Sequence, residues 1–590
     1  MQTLNRIVDL LDNLDTVYKN NPVVAGKQQG EWQSYTSARF TDHVNAVSRG
    51  LLALGITPKD KVAIMSENRP EWNICDFAIM QIGITQVPMY PTLSEHDIQF
   101  ILQDAGIRML LVSGSDTLHK VQNVCRETGT AIYTFDKIAN VPHWLDIAEA
   151  GKKNVDTDLQ EYRNRVMPDD LLTLIYTSGT TGTPKGVMLT HRNVASNVAT
   201  CARLYPAGFT RALSFLPISH IFERMVIYMY LYQGISVYYA ESMDTIVSDI
   251  NTVKPHGFTT VPRLLEKVYD KIVAKGEELS GMKRCIFFWA LHLALRYEMD
   301  GKNGWLYDLQ LSIANKLVFN QWRKALGGDI KAIVSGGAAL QPRLARVFWA
   351  ARMPVLEGYG LTETSPVIAV NFLGKGNAAF GTVGKPIKDA VIKIAVDGEI
   401  LYKGPNLMKG YYNRPDLTAE VIDTEGFYHT GDIGKLDEAG FLIITDRKKE
   451  MFKTAGGKYI APQVLENKFK ESVLIEHIMV LGENRRFPSA LIVPAFDELK
   501  AWCAKKGIPY TSDEEMVKNE QVIAEYQRIV DQYNTNFGHW EQVKKFVLMP
   551  HEWSIDTGEL TPKLSFRRKV ILEKNKDRIE EIYAEEHHEG

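Results

Sequence analysis

Short apolar runs separated by amphipathic stretches dominate the first 180 residues of the chain. Four of them have the length of a buried strand, and they cover residues 61–65, 84–89, 109–112 and 131–134. Residues 71–80, between the first two runs, have the apolar spacing of a helix. Apolar strands that alternate with helices predict a largely parallel sheet with helices on both faces.

The same alternation continues in the middle of the chain and then changes. Further strands are expected at 212–217, 235–239, 258–262 and 331–335, with a mostly helical stretch from 263 to about 326. Residues 391–400 alternate apolar and polar positions around Asp397-Gly398, a dipeptide typical of a hairpin. Beyond residue 446, roughly 140 residues have the pattern of a compact α+β domain.

These patterns predict an α/β protein with two domains. The first, residues 1–446, contains parallel-rich sheets flanked by helices, and a small β-rich unit at about 381–446. The second, residues 447–590, is a smaller α+β domain. A length of 590 residues agrees with more than one core.

Charge and cysteine content narrow the class of protein. The formal net charge of −3 gives no overall basic field, so a nucleic-acid partner is not expected. No two of the five cysteines have the spacing of a metal site, which favours a reducing, cytoplasmic compartment. Residues 1–6 lack the pattern of a signal peptide.

Two apolar segments raise the question of a membrane. The run 286–295, interrupted by His292, is shorter than the roughly 20 residues of a spanning helix, so a buried core helix is favoured over a membrane-touching surface. Near the N-terminus, apolar residues at helical spacing are expected to pack on the protein; they are Leu4, Ile7, Leu10, Leu11 and Leu14. Peripheral contact with the inner membrane surface and a homodimer stay open alternatives.

A loop rich in glycine and hydroxyl groups follows the strand expected at 171–176. It reads Thr177-Ser178-Gly179-Thr180-Thr181-Gly182-Thr183-Pro184-Lys185-Gly186. Glycines allow backbone N–H groups to approach phosphate oxygens, hydroxyls donate further hydrogen bonds, and the lysine adds positive charge. The glycine spacing differs from that of the Walker loop, which disfavours a P-loop NTPase. A simple turn without a ligand is the alternative.

Three further segments accompany this loop in a fixed order: 357–364 (Glu-Gly-Tyr-Gly-Leu-Thr-Glu-Thr), 428–432 (Tyr-His-Thr-Gly-Asp), and 446–463 from Asp-Arg-Lys-Lys to Gln463. Together the four resemble the signatures of the acyl-adenylate-forming, AMP-binding superfamily, which includes acyl-CoA synthetases, beetle luciferases and adenylation domains of peptide synthetases. The resemblance implies ATP-dependent activation of a carboxylic acid. It also implies that residues 447–590 form a mobile domain that rotates between two half-reactions.

The resemblance assigns roles to residues in the first domain. Thr177 and Glu363 would hold Mg²⁺ through hard oxygen ligands. Tyr359 would stack on adenine and Thr362 would contact phosphate, and His220 would lie near the acyl carboxylate. The remaining nucleotide-binding candidates are Ser178, Gly179, Thr180, Thr181, Gly182, Lys185, Gly337, Ala338, Glu357, Gly358 and Gly360.

Further roles fall on the second half of the chain. Asp432 would accept hydrogen bonds from the ribose hydroxyls, supported by Arg447, for which a surface salt bridge is the alternative. The resemblance places Lys449 at the hinge, and Lys453 and Gly456 on the face used to form the thioester.

One position departs from the pattern of the superfamily. A lysine that reaches the α-phosphate is expected near the C-terminus, and ungapped alignment places Ser565 there. Lys563 lies two residues earlier, and in an extended segment the two side chains share a face. We therefore expect Lys563 to take the catalytic role.

Three segments resemble the long-chain fatty acyl-CoA synthetase branch: 261–269, the helical insertion that follows, and 558–562. The expected substrates are a fatty acid, ATP and coenzyme A. Phe222, Phe287, Phe288 and Trp289 could line an acyl tunnel, although a core position is favoured for each. Loading of a carrier protein, luciferase-type oxidation, and a weakly active or non-catalytic ligand-binding relative are the alternatives.

Overall fold

The computed structural model describes residues 4–18, 21–177, 183–554, 557–561 and 566–584. The chain divides into two compact units. The larger contains residues 1–393, 401–430 and 438–442, and the smaller contains 394–400, 431–437 and 443–590. Mixed sheets with helices, together with a separate α+β unit, confirm the predicted fold class.

A nine-stranded sheet crosses the larger unit. Its five central pairings are parallel, and antiparallel strands close both edges. In sheet order the strands are Lys385–Pro386, Val367–Val370, Val355–Gly360, Ala332–Ser335, Gly257–Thr260, Arg211–Ser214, Ser236–Tyr239, Pro22–Gln28 and Glu31–Thr36.

A seven-stranded sheet forms the second layer of strands in the same unit. The order is Gly410–Tyr411, Lys185–Thr190, Leu171–Thr177, Thr85–Met89, Lys61–Met65, Ile107–Val112 and Ala131–Thr134. The strands predicted in the first 180 residues are confirmed and pair in parallel. The strand Lys185–Thr190 was not predicted from the sequence.

Helices of the larger unit begin where the sequence carries start signals. Pro70, Pro262, Pro342 and Pro415 occupy first-turn positions, where the missing N–H of proline costs nothing. The α-helices are Leu10–Thr16, Ser37–Ala53, Pro70–Gln81, Glu95–Ala105, Ser115–Thr128, Trp144–Lys152, Leu159–Arg165, His191–Cys201, Ile221–Tyr232, Ile246–Val253, Pro262–Glu277, Gly281–Leu295, Trp305–Ala314, Asn320–Ala325, Pro342–Ala350 and Pro415–Val421.

Two of these helices lie inside the larger unit. Every residue of Pro70–Gln81 is buried, and so is every residue of Ile221–Tyr232 except Phe222. A charged group lies at their contact: the Arg224 guanidinium is 2.5 Å from Asp76 Oδ1 and donates to Thr173 Oγ1 at 2.7 Å. A charge removed from water persists only when it is paired and hydrogen-bonded, so this pair fixes both helices against the strand Leu171–Thr177.

The smaller unit has its own sheets and core. Phe469, Ile478, Leu491 and Tyr526 are fully buried in it. Three strands, Ile475–Leu481, Ser489–Pro494 and Lys545–Leu548, form one sheet, and Phe452–Lys453 pairs with Tyr459–Ile460. The helices are Pro462–Phe469, Phe496–Lys506, Asp513–Met516, Glu520–Asn534, Arg568–Lys574 and Lys576–Ala584.

A separate four-stranded sheet contains the predicted hairpin. Its strands, in sheet order, are Val391–Ile394, Glu399–Lys403, Tyr428–Leu436 and Leu442–Arg447. Gly398 N donates to Ala395 O at 2.9 Å at the turn, which confirms the hairpin expected from Asp397-Gly398.

The two apolar segments that were considered for membrane contact differ in how far they are buried. Leu4, Ile7, Leu10, Leu11 and Leu14 are all buried, as predicted. The run 286–295 lies in Gly281–Leu295 and buries Phe287, whereas the core position favoured for Trp289 is wrong, because this side chain is 38% exposed. In the described ranges, no helix is long and apolar enough to cross a membrane.

Candidate active site

The glycine-rich loop joins two antiparallel strands. Thr177 ends the strand Leu171–Thr177 and pairs with Lys185, which begins Lys185–Thr190. The loop residues Ser178, Gly179, Thr180, Thr181 and Gly182 lie outside the described residues. Both ends of the loop are therefore held side by side, and the helix His191–Cys201 begins only after the second strand.

Lys185 lies beside a third strand that the sequence did not indicate as part of the site. Tyr411 pairs with Val187, and its ring centroid is 5.3 Å from Lys185 Nζ. Tyr412 N donates to Gly186 O at 2.7 Å. A Cβ at Gly186 would lie 2.9 Å from Leu174 Cδ1 and 3.2 Å from the Tyr176 ring, so a larger residue would have to displace these side chains.

Glu363 is fixed through both its backbone and its side chain. It lies in the 3₁₀ turn Thr362–Thr364, beside the strand Lys185–Thr190. Its carbonyl accepts from Met408 N at 2.7 Å, and its Oε1 accepts from the Tyr411 hydroxyl at 2.9 Å. The Tyr411 hydroxyl also hydrogen-bonds with that of Tyr428.

Tyr411 is thus a candidate site residue that the sequence analysis missed. It is 48 residues from Glu363 in the chain, and no local pattern relates the two positions. Burial, the nearby Glu363 charge and the bond to it raise the pKa of the Tyr411 hydroxyl well above its ordinary value, so the hydroxyl remains a donor.

The donors at Thr177 and Glu363 fit a magnesium ion. Both offer oxygen ligands. Thr177 belongs to the hairpin of the strands Leu171–Thr177 and Lys185–Thr190, and Glu363 belongs to a 3₁₀ turn that contacts this hairpin. Among the residues that the structure describes, no three His, Cys, Asp or Glu side chains form a metal-binding group. Magnesium that is bound mainly by phosphates and water needs only one or two carboxylates.

The segment Glu357–Gly360 lies at the end of a strand of the nine-stranded sheet, where a close backbone contact explains Gly360. A Cβ at Gly360 would lie 1.9 Å from Pro366 O. On the neighbouring strand Ser335 pairs with Glu357, so Gly336 and Gly337 follow at the same edge of the sheet. Gly337 has φ +82°, and Gly337 and Ala338 are exposed there.

The Glu357 carboxyl is hydrogen-bonded to the end of the segment 336–339, which we term the glycine loop. It is buried, and its Oε2 accepts from Leu340 N at 2.8 Å. Burial raises the pKa of Glu357 to about 8, and the backbone hydrogen bond offsets only part of this effect. The contact gives Glu357 a positioning role for residues 336–339.

His220 caps the helix Ile221–Tyr232. Its Nδ1 accepts from Phe222 N at 3.2 Å, so the proton of the neutral ring is assigned to Nε2. The Phe222 ring would lie 3.2 Å from a Cβ at Gly336. His220 thus lies two residues before Phe222, whose ring is close to the glycine loop at Gly336.

The smaller unit contains the predicted ribose-binding carboxylate. Asp432 is buried, and its Oδ1 is 3.6 Å from Arg447 Nε; Arg447 also lies 3.5 Å from Glu450. Asp446 accepts from the backbone N–H groups of Arg447 at 2.6 Å and Gln463 at 3.2 Å, and burial raises its pKa to about 7. The Arg447 side chain thus forms the ion pair that was weighed as the alternative, and its support of ribose binding by Asp432 stays a prediction.

Three other predicted residues of this unit are exposed. Lys449 lies at the surface after the strand Leu442–Arg447, Lys453 Nζ is 4.5 Å from the Tyr459 ring centroid, and Gly456 lies in an exposed turn. Lys563 and Ser565 lie outside the described residues. Leu560 and Phe566, on either side of them, form an antiparallel bridge.

Two family models cover most of the chain. Residues 14–412 match the AMP-binding enzyme model, and residues 450–587 match the AMP-binding enzyme C-terminal domain.

Relatives match over nearly their whole lengths. The chain is 34% identical to Long-chain-fatty-acid--CoA ligase FadD15 of Mycobacterium bovis, over 94% of this chain and 93% of that protein. It is 30% identical to Long-chain-fatty-acid--CoA ligase 1 of Homo sapiens, over 98% and 88%. The adenylation domain of the carboxylate reductase from Mycobacterium chelonae shares the fold, with a TM-score of 0.76, 22% identity, and coverage of 98% and 91%.

The raised pKa of Glu357 predicts how stability depends on pH. A glutamate in the unfolded chain has a pKa of about 4.3, whereas that of Glu357 in the folded protein is about 8. Between these values the folded state retains a proton that the unfolded chain has lost, so the contribution of Glu357 to stability falls as pH rises. Glu357→Gln keeps an acceptor for Leu340 N without the charge.

We expect the difference in Tm between Glu357→Gln and the unmodified protein to shift in favour of the variant as the pH increases through this range. Thermal unfolding at a series of pH values measures the difference. Glu438→Gln, at an exposed position, serves as the control. A pH-independent difference for Glu357→Gln would contradict the prediction.

Proposed function

This chain belongs to the AMP-binding enzyme family, and we propose that it is an AMP-forming ligase that joins a long-chain fatty acid to coenzyme A. The observation that carries the proposal is the nearly full-length match to relatives named long-chain-fatty-acid–CoA ligases. The family implies the use of ATP. The use of Mg²⁺ and of coenzyme A is part of the proposal.

In the first half-reaction, a carboxylate oxygen of the fatty acid attacks the α-phosphorus of ATP. A bond from this oxygen to phosphorus forms, the bond to the pyrophosphate oxygen breaks, and acyl-AMP results. Two anions must approach each other, so cationic groups around the phosphates lower the barrier. Lys185 supplies one positive charge beside the loop, and Tyr411 holds Glu363 in a fixed orientation.

Magnesium held by Thr177 and Glu363 would neutralise phosphate charge. Thr362 would contact phosphate, and Tyr359 would stack on adenine. The glycine loop 336–339 offers backbone N–H and carbonyl groups, and Glu357 fixes its end. His220 would contribute near the acyl carboxylate with Nε2–H directed away from the helix cap.

In the second half-reaction, the sulfur of coenzyme A attacks the acyl carbon, the thiol loses its proton, and AMP leaves. Asp432 would accept hydrogen bonds from the ribose hydroxyls, and Arg447 would stabilise its charge from 3.6 Å. Lys449 would act as the hinge residue, and Lys453 and Gly456 would act in thioester formation.

The function is tested with the purified chain, ATP, Mg²⁺, coenzyme A and a series of saturated acids. We expect AMP and acyl-CoA from acids of about 12 to 18 carbons, the range that suits an apolar tunnel. Acid-dependent AMP formation without consumption of free coenzyme A would favour loading of a carrier protein. Absence of acid-dependent exchange of labelled pyrophosphate into ATP would identify a non-catalytic relative.

Tyr411→Phe tests whether the Tyr411 hydroxyl positions Glu363, the proposed metal ligand. It removes one hydrogen bond to a carboxylate, a loss of about 1.5–3 kcal/mol, or roughly 10- to 100-fold. We expect the Mg²⁺ concentration for half-maximal rate to rise by about this factor, and calorimetry to show weaker binding of Mg²⁺–ATP. Tyr412→Phe is the matched control, because the Tyr412 ring lies under Lys61. An unchanged Mg²⁺ dependence would rule out the role of Tyr411.

Lys563→Ala tests which lysine assists adenylation. Loss of a charge that stabilises the transition state typically costs about 10²- to 10³-fold in rate. We expect fatty-acid-dependent pyrophosphate exchange to fall by this factor, and formation of acyl-CoA from synthetic acyl-AMP to stay close to normal. Lys569→Ala is the control. If Lys563→Ala exchanges pyrophosphate at the normal rate, the assignment is wrong.

A further inference from the structure

One helix of the larger unit is apolar on two opposite sides. It runs without interruption from Trp305 to Ala325, with a π turn at Asn315–Phe319. Its inner side packs into the core through Tyr307, Ala314, Val318 and Trp322. A second row of apolar side chains faces outward and forms what we term the outer face: Trp305, Leu306, Leu309, Ile313 and Leu317.

The outer face is a continuous stripe. From Leu306 the spacing is three, four and four residues, which places these side chains on one side of the helix. Their exposed fractions range from 46% at Ile313 to 74% at Trp305. Single exposed apolar residues are ordinary, but a contiguous row of them marks an interaction surface. The inner packing does not depend on this row.

The charges near the outer face are mostly positive. From 281 to 325 the chain has seven Lys or Arg residues and three Asp or Glu residues, although the net charge of the whole chain is −3. Two of the three acids are engaged within the protein. Glu298 pairs with Arg346 at 2.8 Å, and Asp300 accepts from Gly376 N at 3.1 Å.

The lysines of this region are available to a partner. Lys283, Lys302, Lys316 and Lys324 are exposed, and none forms an ion pair within the described parts of the chain. Three of them precede, interrupt and follow the outer face along the sequence. An apolar stripe with unpaired lysines complements a surface that is apolar below and negatively charged above.

We infer that the outer face docks onto an anionic lipid bilayer, with the helix lying in the plane of the membrane interface. Trp305 suits the boundary between headgroups and acyl chains, and lysines can extend to the headgroups while their methylene stems cover apolar surface. The neighbouring helix Gly281–Leu295 adds the exposed Met282 and Trp289. Tyr307 joins the two helices by donating to Leu293 O at 2.7 Å.

A bilayer fits the outer face better than a second copy of the chain. A symmetric dimer would bring two copies of this mostly positive region together, and like charges repel. The preference for lipid over a protein partner also rests on the proposed function, because a long-chain acid partitions into bilayers. Docking would place the enzyme where its substrate is dissolved.

The test is vesicle flotation of the purified full chain. We expect the chain to float with vesicles containing phosphatidylglycerol and to bind phosphatidylcholine vesicles more weakly. Leu309→Gln with Ile313→Gln should reduce binding at least about tenfold, since burial of aliphatic side chains drives such docking. Lys302→Glu with Lys316→Glu should abolish the preference for phosphatidylglycerol. Val155→Gln with Met167→Gln, at other exposed apolar positions, should change nothing.

Three outcomes would overturn the inference: no flotation of the unmodified chain, equal flotation of the Leu309/Ile313 variant, or a dimer in sedimentation that this variant dissociates. Unchanged Tm values would show that the variants fold. Acyl-CoA formation from dissolved acid should be normal in the Leu309/Ile313 variant and impaired only when the acid is supplied in vesicles. A chain that floats but forms no acyl-CoA would refute the proposed function and leave the docking intact.

Discussion

The guanidinium of Arg224 constrains the arrangement of the larger unit. It is fully buried, and a buried cation persists only where carboxylate and hydroxyl oxygens surround it. Asp76, Thr173 and Tyr228 provide them, from two helices and a strand of the seven-stranded sheet. Because Thr177 ends that strand and His220 caps the helix of Arg224, the positions of these two candidate residues are coupled through one ion pair.

Close backbone contact is the second constraint, and it determines where glycine is needed. At Gly360 a side chain would collide with Pro366 O, and at Gly186 it would have to displace the end of the Leu174 side chain. These glycines therefore serve the approach of protein segments to one another. Gly337 differs, because its positive φ and exposure leave its backbone open. The glycines of the motifs thus divide into those that shape the site and those that can face a ligand.

Hydrophobic periodicity predicted nine strands of the two large sheets and the helical stretches 71–80 and 263–326, because burial leaves a local record in the sequence. It missed the strand Lys185–Thr190, whose pairing with Gly410–Tyr411 joins segments more than 200 residues apart. The same limit applies to the Tyr411 contact with Glu363 and the Arg224 pair with Asp76. Periodicity also identified the 263–326 region as helical, but an apolar residue on the outer face looks the same in sequence as one in the core.

Tyr411 shows how two opposite charges are kept available in one site. Lys185 lies over the face of its ring, and Glu363 accepts a hydrogen bond from its hydroxyl. Among the described contacts, the two charged groups form no ion pair with each other, and they contact different parts of the tyrosine, the ring and the hydroxyl. A direct pair would neutralise both. With separate contacts on one tyrosine, the ammonium stays available to phosphate oxygens and the carboxylate to a metal ion.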